Sequence, residues 1–179
     1  MRPQPIADSP PTRLGPFNGP DDTLRVMVEL ALGDRGERST MVRSMKDHVI
    51  RSLQPKDYLG EIIAIRNFAA EKIRYSNDAL GVEQVQDPQR MVEQIVSHGN
   101  AVGDCDDVAT FIGALCRQLG RECEFVVVGF GAPGSYSHVF TRVKEPKSNR
   151  WIVCDPVAGT EEASMLRKVK TWKSVKVDK

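Results

Sequence analysis

"GDCDDVATFIGALCRQLG", residues 103–120, decides how the rest of the chain is read. Val108, Ala109, Phe111, Ile112, Ala114, Leu115 and Leu119 leave little polar face, so the stretch reads as a helix buried nearly all round. Gly113 inside it costs about 1 kcal/mol against alanine and marks a close packing partner. Gly120 ends it as a left-handed cap. Where the helix begins, Cys105 stands among Asp104, Asp106 and Asp107. A helix N-terminus favours a thiolate and carboxylates oppose one, so the pattern fits a nucleophile, a metal ligand or a small core thiol beside a polar cap.

Upstream of this helix the period is 3.6. "TLRVMVELAL" also alternates at positions 24, 26, 28 and 30, but the preceding "PDD" and the following Gly33 favour a helix from Asp21. In "STMVRSMKDHVIRSL", Val42, Met45, Val49 and Leu53 form one stripe, with Ser39 or Thr40 as cap. "DYLGEIIAIRNFAAEKIRYSND" puts Ile62, Ile65, Ala69 and Ile73 on one face and ends near Asn77 and Asp78. "DPQRMVEQIVSHG" has Asp87 as N-cap, Pro88 at the first helical position and Gly99 at its close.

Downstream of Gly120 the period becomes 2. "CEFVVVGF", "YSHVFTRVK" and "RWIVCD" read as three strands joined by short turns, hence antiparallel neighbours. "KVKTWKSVKV" reads as an edge strand bearing lysines. Helices first and strands second indicate an α+β domain, with the buried helix laid on an antiparallel sheet.

The chain divides into a proline-rich extended arm over 1–20, which holds six of the eleven prolines, a domain over 21–160 and a basic segment over 161–179. With 179 residues, 40% hydrophobic, 27% charged and a formal net charge of +1, no global field points to nucleic acid or to an anionic membrane. No apolar run approaches the roughly 18 residues of a membrane span, and the N-terminus has no signal-like apolar region. The expected location is therefore cytoplasmic. The four cysteines, 11, 7 and 31 residues apart, contain no C-x-x-C and no close pairs, so disulfides, a bound metal and other cofactors are not expected. Cys116, Cys123 and Cys154 read as buried thiols. His48 and His98 suit helix surfaces without further role, and Trp151 reads as a core residue.

His138, mid-strand in "SYSHVFTRV", shares a face with Tyr136, Phe140 and Arg142. Asp155 ends the next strand. If the two strands pair through the turn at 145–149, His138 and Asp155 approach each other. A helix packed across that sheet with its N-terminus toward His138 then brings Cys105 beside them, in the roles of nucleophile, base and orienter.

"GDCDDVATFIGALCRQLG", "YSHVF" and "WIVCDPVAG", with the upstream "IRYSND" and "GVEQVQDP", resemble the transglutaminase-like cysteine peptidase superfamily over roughly residues 57–160. The resemblance implies a papain-like architecture, with Cys105 as nucleophile, His138 as base and Asp155 as third member. It implies thiol-dependent acyl transfer on amide bonds of a protein or peptide, as peptidase, deamidase or transglutaminase. Animal transglutaminases carry an aromatic residue directly after the cysteine, where this chain has Asp106, so what carries over is the shared acyl chemistry. Small stand-alone domains of this kind are often encoded by tailed phages, which implies a virion-associated protein if this one is phage-encoded. The rival reading is a catalytically silent structural or binding module, joined to an assembly partner through residues 1–20 or the basic C-terminal segment.

Overall fold

A computed structural model describes residues 12–14, 19–77, 83–158 and 162–178. Most of the proline-rich arm, Asp78 at the end of the third helical stretch and the first two residues of "GVEQVQDP" lie outside the described residues. The elements are β1 (Thr12–Leu14), α1 (Gly19–Leu32), α2 (Thr40–Ile50), α3 (Tyr58–Lys72), β2 (Ile73–Tyr75), β3 (Glu83–Val85) and α4 (Pro88–His98). There follow β4 (Ala101–Gly103), α5 (Cys105–Gln118), β5 (Cys123–Gly129), β6 (His138–Lys144), β7 (Trp151–Cys154), α6 (Glu162–Lys168) and β8 (Thr171–Lys176).

The buried helix is α5. Every residue from Asp106 to Cys116 is buried, because the helix has protein on both sides. One side lies along β5 and β6, and the other meets α1, α2 and α3. Phe111, Ile112 and Leu115 are fully buried and stabilise this packing by about 1.5–3 kcal/mol each. The glycine inside the helix has the close partner its position implied. A Cβ at Gly113 would stand 2.8 Å from Cε1 and 2.9 Å from Cζ of Phe125 on β5, so glycine sets how near helix and sheet approach.

The sheet has the order β7-β6-β5-β8, antiparallel throughout. Val139 and Val143 of β6 join the main core, and the Thr141 hydroxyl donates to the Ala109 carbonyl of α5 at 2.7 Å. Phe140 turns the other way. With Val126 and Val128 it forms a second, smaller core against Phe130, Val153, Met165 and Val169. The lysine-bearing edge strand is β8, which pairs with β5 over 171–176 at the edge of the sheet. No helix among the described residues is long and apolar enough to cross a membrane.

Caps follow the sequence closely. The Ser39 side chain accepts from Val42 N–H, Asp87 caps α4 ahead of Pro88, and Gly99 and Gly120 take φ of +83° and +70°. Two expectations are corrected, the end of the third helix and the burial of Trp151. The third helix stops at Lys72, and Ile73, placed on its apolar face by periodicity, starts β2 in parallel pairing with β4. Its strand partner is 28 residues away (Ile73 against Ala101), which no local period reveals. Residues 12–14 of the arm pair antiparallel with β3 of the same chain. Trp151 is not core: it is partly exposed, with the Arg142 guanidinium 4.8 Å above its ring. α6 is an element that the sequence pattern did not announce.

Candidate active site

Strand β4 runs straight into α5, with Asp104 as N-cap and Cys105 as first helical residue. Asp104 and Asp107 have the N-cap and N3 spacing of a capping box, and the Asp107 carboxylate accepts the Asp104 N–H at 3.3 Å. The same carboxylate accepts the backbone N–H and side-chain N–H of Gln86, both at 2.7 Å. Gln86 also donates to the Val102 carbonyl at 2.8 Å, and its own carbonyl oxygen accepts from Gln94 at 2.7 Å. Gln94 in turn accepts the Val102 N–H at 3.0 Å. Two glutamines thus clamp β4 and the start of α5. Neither carried a sequence signal: a glutamine in a polar segment has no period, and its role comes from three chain segments meeting.

The acids are scaffolding, as their positions suggested, but not as exposed charges complementing a dipole. Asp106 and Asp107 are 3% and 2% exposed. Burial, then a hydrogen bond with Asp104 and the charges of Asp104, Asp107 and Cys105, pushes the Asp106 carboxyl well above the carboxylate range. Asp106 therefore holds its proton more tightly than a solvated aspartate does. Burial also raises Asp107, to about 7, against the lowering effect of the Gln86 hydrogen bonds. Among the described residues, Asp104, Asp106 and Asp107 are the group whose donor oxygens lie close enough to hold a cation, all within 4.8 Å.

A pH dependence of stability follows from Asp107. Its folded value lies above the unfolded 3.8, so the folded state holds a proton that the unfolded state releases. That contribution is complete below the unfolded value and lost as pH rises through about 7. Urea melts with a chelator present should show wild type losing stability between pH 4 and 7. Asp107→Asn should flatten this slope, whatever it does to the absolute midpoint.

His138 occupies the first position of β6 rather than mid-strand, at the end of the sheet beside the start of α5. Tyr136 precedes the strand and packs on the main core, so it does not share the face of Phe140. His138 Nε2 lies 2.6 Å from Asp155 Oδ2, with side-chain exposures of 12% and 1%. The strands bring them there through the turn anticipated: Thr141 pairs with Cys154, so Asp155 is diagonal to His138. The other oxygen of Asp155 accepts the N–H groups of Val157 and Ala158 at 3.2 and 3.1 Å, which holds the carboxylate in place. Burial pulls the His138 value down, but hydrogen bonds to Asp155 and Cys105 and the charges of both outweigh it and raise it from 6.5 to about 9. Cys105 is partly exposed, whereas Cys116, Cys123 and Cys154 are buried as expected. His48 and His98 are exposed on their helices.

The three residues named from sequence therefore lie together: thiol to imidazole, imidazole to carboxylate. Tyr75 joins them unannounced. It is 50% exposed, and the charges of Cys105, Asp104 and Asp106 act on its phenol.

Comparison with known proteins places this arrangement in context. Residues 44–156 match the sequence profile of the transglutaminase-like superfamily. No curated protein matches the sequence significantly. Among solved structures, a candidate cysteine protease of Cytophaga hutchinsonii aligns with 84% of this chain at a TM-score of 0.51 and 14% identity. A candidate protease of Parabacteroides distasonis aligns with 87% at a TM-score of 0.56 and 9% identity. The chain spans 51% of the first and 29% of the second, and at these identities the likeness is one of fold.

Proposed function

The chain belongs to the transglutaminase-like superfamily, and from that premise we propose that it is a thiol-dependent acyl-transfer enzyme acting on amide bonds of a protein or peptide. The observation that carries the reading is the hydrogen-bonded series Cys105, His138, Asp155 at the N-terminus of a buried helix. With Nε2 held by Asp155, Nδ1 is the ring nitrogen left to exchange a proton with Cys105. An imidazolium beside a thiol at a helix N-terminus favours the nucleophilic thiolate. The thiolate attacks the amide carbonyl carbon, and the carbonyl electron pair moves to oxygen. The Cys105 N–H, free of intrahelical partners, donates to that oxygen. Collapse breaks the C–N bond, and His138 delivers its proton to the departing amine. The thioester then passes its acyl group to water or to an amine.

Alkylation by iodoacetamide at pH 7 tests this. Cys105 should react at least tenfold faster than a free thiol, and His138→Ala should remove the advantage. A Cys105 that reacts like a free thiol, with or without His138, would sink the proposal.

The proton balance of the pair is measurable separately. The folded His138 value lies above the unfolded 6.5, so its contribution to stability is complete below 6.5 and fades as pH rises through about 9. By NMR, His138 should titrate near 9 in wild type and lower in Cys105→Ala. The stability difference between the two proteins should shift over the same interval.

A further inference from the structure

The four-stranded sheet has one open side. At one end β7 lies against α3, whereas at the other end β8 pairs, among the described residues, only with β5. We propose that the free edge of β8 takes an extended acidic segment of a partner protein as a fifth strand. This docking edge is separate from the thiol site and does not depend on Cys105 being a nucleophile.

The backbone supplies the edge. β8 keeps an unbroken register with β5 over Thr171–Lys176, with neither a bulge nor a proline to blunt it. The Val177 N–H donates to the Cys123 carbonyl at 2.9 Å. Facing residues of an antiparallel pair alternate between bonded and unbonded, so Val175 and Lys173 also turn their N–H and C=O groups toward β5. Trp172, Ser174 and Lys176 turn theirs away, and among the described residues nothing bonds them. The side chains of these three residues are exposed as well, so nothing on their face of the sheet screens the edge.

Charge selects the occupant. "LRKVKTWKSVK", residues 166–176, holds five cations and no acid. Lys173 is paired with Asp21 on the other face of the strand. Arg167, Lys168, Lys170 and Lys176 are exposed, and among the described residues no carboxylate pairs with them. Lysines on an edge strand ordinarily deter a further strand. Here the free cations stand at the two ends of the edge, and Trp172 and Ser174 between them carry no charge. Trp172 is 58% exposed, with its ring 5.7 Å from the Arg142 guanidinium, and offers an apolar surface beside the cations. This arrangement repels a like-charged strand, a second β8 included, and suits one whose side chains are acidic. Main-chain bonds supply the affinity of such an addition, and the cations supply the selection.

Amide hydrogen exchange followed by NMR on the full chain reads an added strand directly. The probe is a heptapeptide of alternating threonine and glutamate, blocked at both ends. The Trp172, Ser174 and Lys176 amides should exchange freely in the protein alone and slow about tenfold when the peptide is bound, while Lys173 and Val175 are protected throughout. Lys170→Glu combined with Lys176→Glu should weaken binding about tenfold, the sum of two surface ion pairs. The same peptide N-methylated throughout keeps its charges, but its methyl groups hold the chains apart, and it should not slow the three amides. Unchanged exchange of those amides at millimolar peptide overturns the proposal, because attraction of charge alone protects no backbone. Equal slowing by a peptide with lysine in place of glutamate, or unchanged binding in the double variant, overturns it too. Slowing that appears without peptide and grows with protein concentration would put a second copy of the chain on the edge instead.

Discussion

Asp155→Asn is expected to leave a folded protein whose Cys105 acylates about 10⁴-fold more slowly, as orienter-to-amide changes do in serine triads. The site is unusually well suited to this substitution. The oxygen of Asp155 that accepts from Val157 and Ala158 is retained in the amide, so the loop it holds keeps both bonds. The opposite corner, 2.6 Å from His138 Nε2, becomes an NH₂ group. Nε2 must then accept, and in the neutral ring the proton moves to Nδ1, the nitrogen that has to receive the Cys105 proton. The base is occupied on the wrong side. The same change removes the largest influence holding His138 up, so its titration midpoint should fall below 9. Single-turnover acylation by p-nitrophenyl acetate and a His138 NMR titration read the two effects independently. An Asp155→Asn protein that acylates within a few-fold of wild type would show that the carboxylate does not orient the imidazole.

Gly113→Val is expected to overpack the helix–sheet contact, costing about 3 kcal/mol in urea melts. The added Cβ alone would come within 2.8 Å of a Phe125 ring that is fully buried and has nowhere to go. Phe125→Ala should cost about 3–5 kcal/mol from the other side of the contact, by leaving a cavity. The decisive measurement is the cycle built from Gly113→Ala and Phe125→Leu. Each alone destabilises, but the smaller leucine makes room for the alanine methyl, so the double variant should be more stable than the sum of the two predicts. Additive losses would mean that the alanine methyl and the residue 125 side chain do not compete for the same space.

These two positions also show how far the residues speak for themselves. Gly113 announces a close partner because glycine inside a helix is costly, yet only the packed sheet identifies that partner as Phe125. His138 and Asp155 were legible as a pair because two period-2 runs joined by a short turn permit few registers. Cys105 was legible because a thiol beside three acids at the head of an apolar helix is an unusual composition. Caps at Ser39, Asp87, Gly99 and Gly120 were legible for the same reason: each is a local event with a side-chain signature.

What escaped was non-local. Ile73 satisfies a helical stripe and a strand equally well, and pairing with β4 decides between them. That pairing also sets Tyr75 beside Gly103, two residues before Cys105, on the strand that Gln86 and Gln94 clamp. The electrostatics of the acids were beyond the sequence for a related reason: an aspartate in a helix's first turn is ordinarily a solvated anion, and it is chiefly burial that pushes the Asp106 carboxyl well above the usual carboxylate range. By itself the sequence determined the five longer helices in outline, the strands of the four-stranded sheet, the main caps, the α+β class and the candidate thiol, imidazole and carboxylate, since each is written in local spacing and residue chemistry. The tertiary structure decided which short strands pair, which acids are buried and hold their protons more tightly, and which tyrosine comes near the thiol, because pairing and desolvation depend on groups far apart in the chain.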